Sequence, residues 1–432
     1  MRLALAATAL APAIAFANGR APMTNGVHFQ PGNDRSIFVA STFGLLISRD
    51  DGSSFRWVCE QNIGYAGTFD PKYRIARDGA IFATTFAGLR VSRDGGCSFT
   101  TATERAPQGD PGRIAGVWID AIDIGPDGDV WVATADNGKP NDIYRSRDGG
   151  MTFAPSGLSS PAIWWKSIAV APSRAQRIYA TGYQVAGALA DGGQRPPATH
   201  LEISDDTGGH WQRSPLTGVA FATVPLVRVA GVDPGDPEIV LLTSLAASPP
   251  GDRLYRSTDG GMTFTEVLAT RSAILDVAVS AGGVVRVATL GGQPFQSTDH
   301  GASFQPLAGA PQQLACIGQR GDGAVLGCAA NWEPDFAAVV RGDGATWHKR
   351  FRFAELAGPL ACPAGTAEHD VCAAQWPSVQ QQFGATGSDA VAPPVTPRKA
   401  GGCCDAGGPS GGLGAIALAA GLGAALRRRR AR

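Results

Sequence analysis

Asp120, Lys166 and Arg228 stand at one point of a recurring strand, each six residues before a proline that closes it, as do Asn25 and Tyr65. Units without that proline align Leu275 and Ala315 there. Charges inside otherwise apolar strands are costly unless they are paired or used. Trp118, Trp164 and Trp165 lie beside two of them. Aromatic faces next to a few charges suit a sugar or a peptide, with rings stacking and charges setting orientation. The same residues also fit a structural role, in which Asp120, Lys166 and Arg228 pair with one another and the tryptophans fill gaps. Glycoside hydrolysis would need two carboxylates facing across a cleft. Asp120, Asp123 and Asp276 are the inner-strand acids on offer, and nothing in their spacing marks a catalytic pair, so the expectation leans to binding without catalysis, with a secreted glycoside hydrolase as the alternative. The six histidines are scattered and no CxxC or HExxH occurs, so no metal or cofactor is expected.

The elements that must position these residues repeat. The octapeptides SRDDGSSF (from Ser48), SRDGGCSF (Ser92), SRDGGMTF (Ser146), SDDTGGHW (Ser204), STDGGMTF (Ser257) and STDHGASF (Ser297) share one pattern, and a worn copy, VRGDGATW, begins at Val340. Their starts lie 40 to 58 residues apart, near the period of propeller blades. Each copy sits between two short strands, so it is a hairpin turn. Its acid (Asp50, Asp94, Asp148, Asp206, Asp259, Asp299) is expected to accept backbone hydrogen bonds, its glycine to adopt positive φ, and its last aromatic to pack on the blade. Segments such as Ala121 to Thr134 and Val229 to Thr243 add two apolar strands per repeat. Four strands per unit make an all-β propeller.

The octapeptide resembles the Asp-box of BNR-type repeats, found in sialidases, sortilin-type receptors, xyloglucanase-like glycosidases and the photosystem II assembly factor. The resemblance covers residues 24 to about 352 and implies a single β-propeller. It does not imply sialidase chemistry, because the box lies on hairpins away from catalytic groups. Tyr73-Arg74-Ile75 resembles the arginine-bearing start of sialidases, but it follows the first box and lacks the proline.

Seven boxes mean seven blades, and a further echo leaves an eighth open. Leu314 to Cys316 with Cys328 to Trp332 is repeated as Leu360 to Cys362 with Cys372 to Trp376. Either an eighth blade forms, completed by residues 18–23, or a stapled C-terminal hairpin follows seven blades. The echo predicts disulfides Cys316–Cys328 and Cys362–Cys372, with Cys59 and Cys97 on neighbouring units as a candidate third pair.

The 432 residues include 57 glycines and 30 prolines, with only 17% charged, a composition of short strands and turns. Formal charge is zero, and without the arginines of the two ends the body is mildly acidic, which disfavours a nucleic-acid partner. Residues 1–17 read as a secretory signal ending in Ala-Phe-Ala, residues 18–383 as the propeller and residues 384–402 as a flexible stalk. Residues 403–432 join Cys403 and Cys404 to an apolar run (Leu413 to Leu426) and an arginine-rich end. That run makes about 21 Å of helix against a hydrocarbon core of about 30 Å. The layout resembles the myxobacterial C-terminal sorting tag, which implies cleavage near Cys403 and surface attachment through a cysteine; an ordinary single-pass anchor is the other reading. The expected protein is thus exported, touches export and sorting machinery and the membrane only through its tail, and meets an extracellular glycan or protein.

Overall fold

The computed structural model describes residues 22–385 apart from 189–191, 222–225, 248–249, 313 and 330–336. The expected leader, the segment after residue 385, Cys403 and Cys404 lie outside them. Seven four-stranded antiparallel sheets follow one another along the chain. Their innermost strands are Thr24–Gln30, Tyr73–Ile75, Ile119–Ile124, Ile163–Ala171, Val227–Val232, Ile274–Ser280 and Cys316–Gln319. Each lies against the next, and the seventh lies against the first, so the sheets are blades 1 to 7 of a closed propeller.

The second strands show why the sequence is apolar on both faces. Ile37 and Val39 pack toward blade 7 while Phe38 and Ala40 pack toward blade 2, and in blade 3 Val130 and Val132 face blade 2 while Trp131 and Ala133 face blade 4. Alternation along a strand therefore feeds two interblade cores in place of one core and one wet face.

Six hairpins between the third and fourth strands are built alike. In blade 3 the Ser146 hydroxyl donates to Asp148 (2.7 Å), the Gly150 N–H donates to Ser146 Oγ (2.8 Å) and the Thr152 N–H donates to Asp148 (2.9 Å). The same three bonds recur around Asp50, Asp94, Asp206, Asp259 and Asp299. The glycine has a second reason to be glycine: a Cβ on Gly150 would lie 2.7 Å from the Phe82 ring, and one on Gly208 2.9 Å from Trp131. Each turn thus seats on a large side chain of the preceding blade. The residue before that glycine is also left-handed, even where it is Asp51, Thr207 or His300. Its carbonyl accepts from an arginine of the preceding blade at four boundaries: Arg49 to Gly95, Arg93 to Gly149, Arg256 to His300 and Arg350 to Asp51.

The copy at Val340 does not form this turn. Valine replaces the serine hydroxyl, and Asp343 pairs with Thr346 across a plain two-residue hairpin. Among the described residues no eighth blade forms either. The residues echoing Cys328 to Trp332 are helical: a π turn, Glu368–Cys372, runs into the helix Ala373–Phe383. Alanine and glutamine favour helix in this copy. This segment lies over the seam between blades 7 and 1, where Cys372 and Val379 join the core of Val27, Trp57 and Phe351. The pairing Cys316–Cys328 is present, between directly opposed residues. Cys362 and Cys372 do not pair with each other, because they are not opposed on a hairpin. They bond instead to Cys97 and Cys59, so Cys59 and Cys97 do not pair together either.

Candidate binding site at the channel mouth

Four of the seven positions aligned from the sequence share an unexpected backbone feature. Asn25, Asp120, Lys166 and Leu275 are each the extra residue of a β-bulge, with no partner opposite on the second strand. A bulge frees a side chain from the two-faced packing of the strand and re-aims it. That is how charged residues enter an apolar strand without breaking an interblade core. Bulges and innermost strand starts lie at the end opposite the six box turns, at one mouth of the central channel.

Asp120 is buried there and forms ion pairs with Lys166 and with Lys72 (3.4 Å), and Lys72 also donates to the Asp120 carbonyl. Although burial opposes ionisation, Lys72, Lys166 and Arg228 together hold the Asp120 carboxyl below its usual range. Burial, with repulsion from Arg228 and Lys166, lowers Lys72 to about 8 against the attraction of Asp120. Sequence alignment missed Lys72, because Pro71 precedes the inner strand of blade 2 and does not close it. Tyr65, aligned in its place, is buried in the core between blades 1 and 2. Arg228 is exposed at the start of the blade 5 inner strand and is paired in register with Thr243, outside that strand's bulge.

Trp118 and Trp164 stand over the Lys166 ammonium, which lies 4.7 Å and 6.0 Å from their ring centres. They continue a row: Phe69 to Phe86 is 4.5 Å, Phe86 to Trp118 4.9 Å and Trp118 to Trp164 6.1 Å between centroids. Phe86 is 55% exposed, a residue that its place in a short loop between apolar strands did not single out. Trp118 Nε1 is buried without a hydrogen-bond partner among the described residues. Trp165 points the other way: it is 1% exposed and packs with Trp131 between blades 3 and 4.

The remaining inner-strand acids are committed deeper in the channel. Asp123 pairs with Arg74 (3.0 Å) and accepts the Val170 N–H (2.9 Å). Asp276 accepts the N–H groups of Val277 and Ile317, both at 3.0 Å, and burial raises it to about 6. Ser167 likewise accepts the Val229 N–H at 2.9 Å. Asp123, Ser167 and Asp276 thus cap the unpaired edge of the next blade's inner strand. A channel cavity of about 180 Å³ lies among Arg74, Asp123, Val170, Gly231 and Val279. A larger one, about 310 Å³, opens between blades 6 and 7 beside Arg286 and Trp347 and shares no residue with the mouth. Cys59, Glu368 and Cys372 bring three potential metal-ligand atoms within 4.8 Å of one another, but both sulfurs are consumed by their disulfide.

No protein-family model and no curated protein matches the chain. Among solved structures it is similar to PorZ of Porphyromonas gingivalis, a surface component of the type-IX secretion system (12% identity, TM-score 0.49, covering 77% of this chain and 46% of that one). It is also similar to YCF48 from Cyanidioschyzon merolae (14%, 0.46, 71% and 92%) and to a GH74 xyloglucanase from Xanthomonas campestris (14%, 0.42, 76% and 66%). The chain thus spans just under two thirds of the xyloglucanase and less than half of PorZ.

Proposed function

We propose that the chain is an exported Asp-box propeller, held at the cell surface through its C-terminal segment, that uses the channel mouth to bind a carbohydrate or peptide and performs no catalysis. The observation that carries this reading is the commitment of the acids. Asp120 is engaged by two ammonium groups, and Asp123 and Asp276 by backbone N–H groups, while the aromatic row beside them keeps an exposed ring. Such a site can hold a ligand and orient it, but these three acids supply no free pair of carboxylates for acid and nucleophile. The recurring Ser-Asp-Gly hydrogen bonds of the six turns support the Asp-box assignment. The leader-like start and the Cys403-Cys404 segment support export and attachment. Glycan and peptide arrays probed with the oxidised protein test the binding reading. A ligand whose affinity is unchanged in Trp164→Ala and in Lys166→Ala would move the site elsewhere. Glycan hydrolysis lost in Asp120→Asn or Asp276→Asn would favour the glycosidase alternative.

A further inference from the structure

The charges around Asp120 do not balance. Lys72 and Lys166 share one carboxylate, Asp120, and Arg228 adds a third cation near enough to act on both Asp120 and Lys72. Asp252 is an acid within reach of Arg228, but its carboxylate accepts the Ile274 N–H at 2.8 Å, and burial raises its pKa; Asp136, which accepts the Trp118 N–H, is paired with a cation of its own, Lys139 (3.4 Å). Lys72 keeps 40% of its side chain accessible and Lys166 only 12%, so the surplus positive charge is partly open and partly enclosed. Field lines from such a cluster, walled by protein, favour an incoming anion. Around it runs the row from Phe69 to Trp164, which crosses from blade 2 to blade 4. A peptide would want an open strand edge for its backbone. The inner-strand edges of blades 4, 5 and 7 already give N–H groups to Asp123, Ser167 and Asp276. A chain of sugar rings needs no such edge, because its C–H faces rest on aromatic rings and its substituents meet the charges.

Building on the binding reading above, we propose that the mouth takes an acidic saccharide chain of the uronate class, one carboxylate seated among Lys72, Lys166 and Arg228 and adjoining rings lying along Phe86 and Trp164. The probe is polygalacturonate, compared with the same polymer after reduction of its carboxyl groups to alcohols and with poly-glutamate of similar length. The expected result is binding of polygalacturonate that weakens with rising salt, with at least about tenfold weaker binding of the reduced polymer and of poly-glutamate. Arg228→Gln, on an exposed side chain, and Lys72→Gln should each weaken the interaction about tenfold, and Phe86→Ala should weaken it too, with the thermal midpoint of Arg228→Gln unchanged. Equal binding of the reduced polymer or of poly-glutamate, full binding by Arg228→Gln, or no binding of polygalacturonate would each overturn the proposal. Capture of a neutral glycan that is lost in Trp164→Ala would reject the acidic ligand and leave the binding reading standing. A blank array would reject both.

Discussion

Glu368 reaches across the seam of the ring: its Oε2 accepts the Asn62 side-chain amide at 3.0 Å and the Cys59 N–H at 3.4 Å, although the residues are more than 300 positions apart. It sits beside the Cys59–Cys372 bond that closes the same junction. Burial raises its carboxyl to about 7, against partial relief from those hydrogen bonds. A folded pKa above the unfolded value means that the folded state holds the proton more tightly. Stability should therefore fall as pH rises from about 4.5 through about 7 and level off above. The full shift would be worth at most about 3 kcal/mol. Denaturant titrations at pH 5, 6, 7 and 8 check this, with Glu368→Gln expected to flatten the slope. Parallel curves for both proteins would sink the idea.

Peptide mapping of oxidised protein should recover Cys59 with Cys372, Cys97 with Cys362 and Cys316 with Cys328. The first two close loops of 313 and 265 residues. Replacing either pair with serine should cost about 2 to 5 kcal/mol, the range for native bridges. Recovery of a Cys362–Cys372 peptide would show that the C-terminal segment does not clasp blades 1 and 2.

Asp148→Ala should lower stability by about 2 kcal/mol or more, because it strips partners from the Met151 and Thr152 N–H groups and from two hydroxyls. Burial pushes its carboxyl up, but those bonds together outweigh it and hold the carboxyl at about 2. An acid with a depressed pKa contributes stability above about pH 4 that disappears as pH falls through 2. Asp259 is held similarly low. The wild type should consequently unfold more steeply below pH 4 than Asp148→Ala does, as followed by circular dichroism.

Adjacent positions of the repeated turn, probed in blades 3 and 4, should respond in opposite directions. Gly150→Ala drives a methyl into Phe82 at a φ of 85° and should cost about 2 kcal/mol or more. Thr207→Gly relieves a β-branched residue at φ 61° and should gain about 0.5 to 1 kcal/mol. Thermal midpoints of the two variants against wild type decide the sign of each.

Adjacent tryptophans separate stability from binding. Trp165→Ala empties a core position and should cost about 3 to 5 kcal/mol. Trp164→Ala should leave the melting curve nearly unchanged and weaken a mouth ligand about thirtyfold, the effect of losing a contact of about 2 kcal/mol. Melting curves and ligand titrations on the two variants read this out. A destabilised Trp164→Ala with intact binding would make it a packing residue.

The propeller was legible because its signals are local: Ser48, Asp50 and Gly52 meet within one turn, and that turn occurs six times. Cys316 and Cys328 were legible for the same reason, lying opposite each other on one hairpin. What stayed hidden depends on partners distant in sequence. Cys97 finds Cys362 only once the ring has closed, and the likeness of CAAQW to CAANW did not reveal that Ala373–Phe383 is a helix. At the mouth, counting from prolines reached the bulged residues Asp120 and Lys166 without indicating that they were bulged. The same count failed in blade 2, where Pro71 opens the strand, and so passed over Lys72. Composition cannot distinguish Trp164 from Trp165, since adjacent strand residues face opposite ways and only the assembled blades say which way is inward.

The double clasp has a mechanical consequence. A pull applied at Ala385 would run down the helix Ala373–Phe383 and meet the Cys372–Cys59 bond, with Cys362–Cys97 behind it. Tension would thus enter blades 1 and 2 through covalent bonds and bypass Thr346–Phe351, the outer strand of blade 7, which would otherwise peel away first. A propeller tethered by its tail would have its seam drawn shut by shear or by a dragging ligand, and chemical reduction would restore the weak edge.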